Sequence, residues 1–242
     1  MAEMVATSSP AASALTGAVD RSALEPPLAL AFASDLRLVA DAVAVALTSR
    51  GFQVQVLSWP RTSGAEPVQR QLADLSADVA VLLYDVDMSI RMAEAVALLR
   101  SWSGPWLVLT GVSPGPAWGG LTLAGAAAVR SSDISLADVA DLVRRLAAGE
   151  PDPSPDVARY VESWRAVQTR HGDIQRRIDS LAPRELEVLT LLYQGVRVDA
   201  IARRLGLSVA TVRSQVRAIL RKLDARSQLS AVALLHAIDG AT

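Results

Sequence analysis

The 242-residue chain contains no cysteine, which removes disulfides, thiolate zinc sites, iron–sulfur clusters and any cysteine nucleophile in one step. It has two histidines, His171 and His236. Neither stands near a second candidate ligand, so imidazole-based metal sites and catalytic triads have little to build on. Lys222 is the single lysine among 24 basic residues; every other cation is an arginine. No apolar run approaches the ~18 residues that a membrane-spanning helix needs, because charges or turn residues interrupt each one. A secretory signal is missing too, since Glu3 stands where a basic region belongs and Asp20-Arg21 breaks the apolar stretch. These absences point to a cytoplasmic protein that is not an enzyme.

What is present is core-forming sequence, 51% hydrophobic and 20% charged, enough for one to two domains. The net charge of −1 hides an asymmetry: residues 1–149 carry −4 and residues 150–242 carry +3, with +4 concentrated in residues 181–242. A basic C-terminal module is the sign expected of a polyanion binder. Residues 1–27 mix Ala, Ser, Thr and Pro without periodicity and read as a flexible tail.

From 28 to 149, apolar runs at Leu28 to Ala33, Gln53 to Leu57, Asp78 to Tyr84, Pro105 to Thr110 and Ala126 to Arg130 alternate with helical-period segments near 36–49, 66–76, 89–102, 116–124 and 135–148. Five such units predict an α/β doubly wound, five-stranded parallel sheet, whose ligand crevice lies at the strand carboxyl ends. Asp35 and Asp85 fall at such ends, and Thr110 ends the fourth strand. An acid in that position also caps helices, which is the plain alternative for Asp35.

The motifs Asp85-Val86-Asp87-Met88, Val108-Leu109-Thr110 and Leu123-Ala124-Gly125-Ala126 make this segment resemble the receiver domain of a bacterial two-component response regulator. The resemblance implies Asp85 as phosphoacceptor, Asp35 as second acid, Asp87 beside them, Thr110 as the phosphoryl-binding hydroxyl, and Mg²⁺ held by Asp35 and Asp85. Three departures stand against it. Ser34 replaces one acid of the pair; the pocket lysine is gone, the matching stretch reading Ser132 with Arg130 nearby; and Val129 takes the place of the aromatic switch. The receiver is therefore expected to be degenerate and not switched by phosphorylation, with no required cofactor and Mg²⁺ binding weak.

Glu150-Pro151-Asp152-Pro153-Ser154-Pro155 ends the domain. In the linker, residues 150–180, Val157, Tyr160, Val161, Trp164, Val167, Ile174 and Ile178 recur at mostly helical spacing, predicting one or two amphipathic helices with Gly172 as a break. Whether that stripe faces its own domains or a second subunit is open at this level.

Residues 181–242 predict an all-α, four-helix unit. Pro183 opens a helix that Gly195 stops, a second runs from about Val198 to Leu205, and Gly206-Leu207-Ser208 turns into a third from Val209 to about Leu223, a helix-turn-helix. On the third helix Val209, Val212, Val216, Ile219, Leu220 and Leu223 share one face, while Arg213, Ser214, Arg217 and Arg221 share the opposite one. Like charges at i, i+4 and i+8 with no acid among them call for an external anion. Arg can bond a guanine edge in bidentate fashion, and Thr211, Ser214 and Gln215 are polar readers of bases and phosphates, with Lys222 nearer the helix end.

Leu181-Ala182-Pro183-Arg184-Glu185, Ile201-Ala202-Arg203-Arg204-Leu205, Ser208-x-x-Thr211-Val212-Arg213 and Lys222-Leu223 resemble the LuxR/NarL-type helix-turn-helix over about 60 residues. Ala182 departs from the usual Thr or Ser cap, and Gln215 from a frequent His. The resemblance implies a transcription regulator with double-stranded DNA as partner, a homodimer built in part by a fourth helix at about 227–238, and RNA polymerase as a further candidate partner; it names no kinase. Two alternatives remain. In one the old phosphorylation pocket senses a small molecule, with Trp118 and the Gly115–Gly120 stretch as the hint. In the other the protein is a conventional phosphorylation-activated regulator with Arg130 standing in for the lysine. A sigma-factor-like role lacks a second promoter-reading region.

Overall fold

The computed structural model describes residues 26–59, 64–87, 89–152, 154 and 156–239. The expected N-terminal tail thus lies outside the described residues apart from Pro26 and Pro27.

Strands β1 (Ala29–Ser34), β2 (Gln53–Leu57), β3 (Val79–Leu83), β4 (Trp106–Thr110) and β5 (Ala126–Ser131) alternate with helices α1 (Arg37–Thr48), α2 (Glu66–Ala73), α3 (Ser89–Arg100), α4 (Pro116–Ala124) and α5 (Leu136–Ala147). All pairings are parallel, in the order β2-β1-β3-β4-β5. Strands β3 and β4 read VAVLL and WLVLT because helices cover both of their faces, whereas edge strand β2, QVQVL, alternates and turns Gln53 and Gln55 outward. Phe32, Val81 and Leu107 meet α1 and α5 through Leu47 and Val143 on one side. Ala31, Leu82 and Val108 meet α2, α3 and α4 through Leu72, Leu98 and Leu121 on the other. The strand order reverses between β1 and β3, so the crevice opens there. With Ser34 in register with Leu83, Asp35 and Asp85 leave the sheet at the same end.

The linker holds one helix rather than two: α6 (Val157–Asp179) runs unbroken through Gly172. Glycine lowers helix propensity by only about 1 kcal/mol, and anchoring at both ends of α6 outweighs that. Tyr160 and Trp164 pack on the core under α4, while Ile174 and Ile178 enter the C-terminal core. Four residues of the apolar stripe are therefore spent within the chain. Gly119 and Gly120 form its seat, since a Cβ on Gly119 would fall on the Tyr160 carbonyl and one on Gly120 would lie 2.8 Å from the Trp164 ring.

The C-terminal unit comprises α7 (Pro183–Tyr193), α8 (Val198–Leu205), α9 (Val209–Leu223) and α10 (Gln228–Asp239). Leu189, Ile201, Val212, Ile219 and Leu223 fill its centre. Gly206, at φ 65°, closes α8 in the left-handed conformation that the tight turn to α9 requires. Ala182 leaves α7 without a side-chain cap, but the reciprocal half of a capping box survives: the Glu185 carboxylate accepts the Ala182 amide at 2.7 Å.

Candidate nucleic-acid interface and receiver-like pocket

Helix α9 is oriented by its buried stripe, which docks Val212, Val216, Ile219 and Leu223 into the module. Its start is fixed by Ser208, whose Oγ accepts the Thr211 amide at 3.0 Å and lies 2.8 Å from the Thr211 hydroxyl. The opposite face presents Thr211, Arg213, Ser214, Arg217 and Arg221, all exposed. Among the described residues none of these three arginines has an ion-pair partner.

Two of the sequence candidates sit differently. Gln215 is half-buried, and its Oε1 is turned inside without a protein hydrogen-bond partner among the described residues. Lys222 is committed to the protein, its Nζ donating to the Glu185 carboxylate at 2.6 Å and to the Ser180 carbonyl at 3.3 Å. It ties α9 to the start of α7 and the end of α6, because its long side chain lies on the seam between them. The Lys222 hydrogen bond, followed by that of the Ala182 amide, holds the Glu185 carboxyl below its ordinary value.

In the α/β unit, Asp35, Asp85, Asp87, Arg91 and Ser132 line a cleft of about 520 Å³. Ser34 and Thr110 are 3% and 0% exposed and do not line it. The Ser34 hydroxyl accepts the Leu36 amide at 3.1 Å, and the Thr110 hydroxyl accepts the Val112 amide at 3.3 Å. Asp35 is not a helix cap, for Leu36 occupies that position and no side chain caps α1. Its carboxylate instead meets the Arg91 guanidinium at 3.1 Å. Asp85 accepts the Gly111 amide at 2.5 Å. The guanidinium of Arg91 lies 4.1 Å from the centre of the Tyr84 ring, which is stacked on Trp59. Burial, then a hydrogen bond to Glu94, raises the Tyr84 phenol well above its ordinary pKa. Arg91 escaped the sequence reading, although its place four residues after Asp87 at the start of α3 carried the signal.

Arg130 does not enter the cleft. It forms a two-pronged ion pair with Asp152, its Nη1 donating at 2.8 Å, and so pins the linker to the end of β5. Burial opposes ionisation of Asp152, but the Arg130 hydrogen bonds and charge outweigh it and hold the carboxyl below its ordinary value of 3.8. A lowered pKa contributes stability that is present above that value and lost as pH falls below it. With only 7% of the Asp152 side chain exposed, Arg130→Ala strands a carboxylate. An expected loss of about 2–3 kcal/mol is measurable by denaturant unfolding at pH 7, and Asp152→Asn in the same background should recover part of it.

Trp118 and residues 116–120, the hint for a sensor loop, belong to α4 instead. The Trp118 indole donates to the Val112 carbonyl at 2.9 Å, and its ring meets Tyr160 edge-on at 5.8 Å. That segment seats α6, and the reading of it as a ligand loop loses its support.

A five-stranded parallel α/β unit is joined through one helix to a helix-turn-helix module, an arrangement that resembles two-domain response regulators. Residues 179–235 match the family described as bacterial regulatory proteins, luxR family. The chain is 29% identical over 177 residues to the transcriptional regulatory protein LiaR of Bacillus subtilis, an alignment covering 72% of this chain and 82% of LiaR. It is 28% identical over 104 residues to the nitrate/nitrite response regulator NarL of Escherichia coli, covering 43% of this chain and 47% of NarL. Among solved structures, the RcsB response regulator of Salmonella typhimurium aligns at 19% identity and a TM-score of 0.42, over 88% of this chain and all of that one. The matched relatives carry the names of transcriptional and response regulators. Among the described residues no helix is long and apolar enough to cross a membrane.

Proposed function

We propose that this protein is a cytoplasmic, DNA-binding transcription regulator that acts as a homodimer, and that its receiver-like domain is not switched by phosphorylation of Asp85. The observation that carries DNA binding is the exposed Arg213, Arg217 and Arg221 stripe on α9, without an ion-pair contact among the described residues and opposite the face that anchors the helix. The size and exposure of such a helix suit the major groove. Residues 28–149 would serve as the control domain, 150–180 as the linker and 181–242 as the reader, with double-stranded DNA as the partner. Support for a homodimer is more local: Leu229, at the start of α10, is 79% exposed, an apolar side chain available to a second copy.

The test is the salt dependence of DNA binding by the full chain, followed by fluorescence anisotropy. Three arginines from each of two subunits brought into the DNA groove, whether they bond base edges or phosphates, would displace about six counterions, so affinity is expected to fall roughly 10³-fold between about 50 and 200 mM salt. A flat salt profile removes the proposal.

The absent switch rests on chemistry. Phosphoryl transfer to a carboxylate needs a well-held cation and a second positive group on the transferred oxygens. Lys222 is bonded to Glu185 in the C-terminal module, Arg130 is bound to Asp152, and Arg91, the cation that lines the cleft, is engaged by Asp35, Asp87 and the Asp85 carbonyl; Thr110 is fully buried, and Val129 has no ring to swing. Asp85→Ala should therefore leave DNA affinity within about twofold, roughly 0.4 kcal/mol, measured with and without acetyl phosphate. A tenfold rise in affinity on stoichiometric phosphorylation of Asp85 restores the conventional mechanism.

A further inference from the structure

We infer that Arg91 is the resident cation of the receiver-like pocket, holding with its guanidinium the place that a divalent ion would need and making this domain indifferent to Mg²⁺. The inference deepens the reading of the domain as unswitched by phosphorylation and rests on it.

The residues at the strand ends do not suit Mg²⁺. That ion demands near-octahedral oxygen ligands at about 2.0–2.1 Å and parts with its water reluctantly, so it requires carboxylate oxygens free to turn toward it. Here Asp35 Oδ2 lies 3.1 Å from Nη2 of Arg91. Asp85 Oδ1 is held by the Gly111 amide. Ser34 supplies a neutral hydroxyl in place of an acid and turns it to the Leu36 amide. Among the described residues no three acidic or imidazole groups converge as a ligand set.

Arg91 meanwhile makes the contacts of an internal counter-ion. Its Nε donates to the Asp85 carbonyl at 2.5 Å and stands 3.7 Å from the Asp87 carboxylate. Its planar face lies on Tyr84, a cation–π contact that a hydrated metal ion cannot reproduce. One fork therefore joins the loop after β1, the loop after β3 and the first turn of α3. A loosely bound, exchangeable ion would do this only when present; a side chain does it at all times. The guanidinium keeps its charge at every working pH, so the cation itself is always present.

The test is isothermal titration of the full-length protein with MgCl₂ and with MnCl₂, on wild type, Arg91→Ala, Arg91→Met and the double variant Arg91→Ala/Asp35→Asn. Arg91→Met keeps the methylene packing over Tyr84 if Arg91→Ala loosens the fold, and thermal melting verifies that each variant is folded. Wild type should show no saturable uptake up to about 20 mM ion, folded Arg91→Ala or Arg91→Met should bind at least tenfold more tightly than wild type, and the double variant should lose that gain. Wild-type affinity within twofold of the variants, or no gain in any folded variant, overturns the inference. DNA binding is measured on the same samples. Its failure in wild type would sink the regulator reading while leaving the ion titrations to decide the role of Arg91.

Discussion

Replacing Arg213 or Arg217 by Ala should weaken binding to the preferred DNA sequence by about 1–3 kcal/mol, roughly 5- to 150-fold, and flatten the discrimination between that sequence and its single-base variants. Both side chains project from the face of α9 opposite the Val212–Val216–Ile219–Leu223 stripe, and neither pairs with an acid among the described residues, so no described intramolecular bond is lost when they are removed. Unfolding stability should accordingly change by less than about 0.5 kcal/mol, as for other exposed positions. Lys222→Ala separates the two kinds of residue. Its ammonium bridges Glu185 and the Ser180 carbonyl, so its loss should appear as a lowered melting temperature and a diminished effect of acid on stability. The sign follows from Glu185: Lys222 holds that carboxyl below its ordinary value of 4.5, so the stabilisation is present above this pH and lost as pH falls below it. Binding assays at several salt concentrations together with melting curves on the three variants decide the matter. Arg213→Ala and Lys222→Ala giving the same uniform loss of affinity, with no change in melting, would mean that the DNA-facing side of α9 has been misassigned.

The difference between those residues shows what the sequence could and could not convey. The α8–turn–α9 unit is local: Gly206, the Ser208 cap and the 3.6-residue spacing of the valines all lie within about 25 residues, and each was readable from chemistry alone. The five strands were readable for a related reason, since a parallel sheet covered on both faces demands continuous apolar runs. Lys222, Arg130 and Arg91 are long cations whose partners lie 37, 22 and 56 residues away, and periodicity carries no information about such pairs. Thr110 was legible as the end of β4 but not as a fully buried hydroxyl, because burial at a strand end depends on the loop that folds over it. The same limit applied to α6. Its stripe was plain, yet two domains of one chain and a second subunit offer the same apolar surface to a helix, and only the small residues on α4 reveal which one is taken.

Those small residues lead to the other large effect. Gly119→Ala should destabilise the packing of α6 on α4 by about 3 kcal/mol, and Gly120→Ala by less, about 1–2 kcal/mol. The ordering comes from what each new methyl meets. At Gly119 it falls on the Tyr160 carbonyl, part of the α6 backbone, which can yield only if the whole helix moves. At Gly120 it reaches the Trp164 ring, 2.8 Å away, and a half-buried side chain can rotate. Helix propensity works in the opposite direction, since Ala in a helix is favoured over Gly by about 1 kcal/mol; any net loss of stability is therefore steric, and the packing term is larger than the measured value. Tyr160 and Trp164 join the core of the α/β unit, whereas Ile174 and Ile178 join that of the reader, so a displaced α6 should keep its C-terminal anchor and lose its N-terminal one. The expected signs are a red-shifted tryptophan emission from Trp164, faster proteolysis of the 150–156 segment, and an isolated DNA affinity that survives because α9 is untouched. Unchanged emission and cleavage in Gly119→Ala would show that α4 yields without releasing α6, and that this seam is not what holds the reader to the control domain.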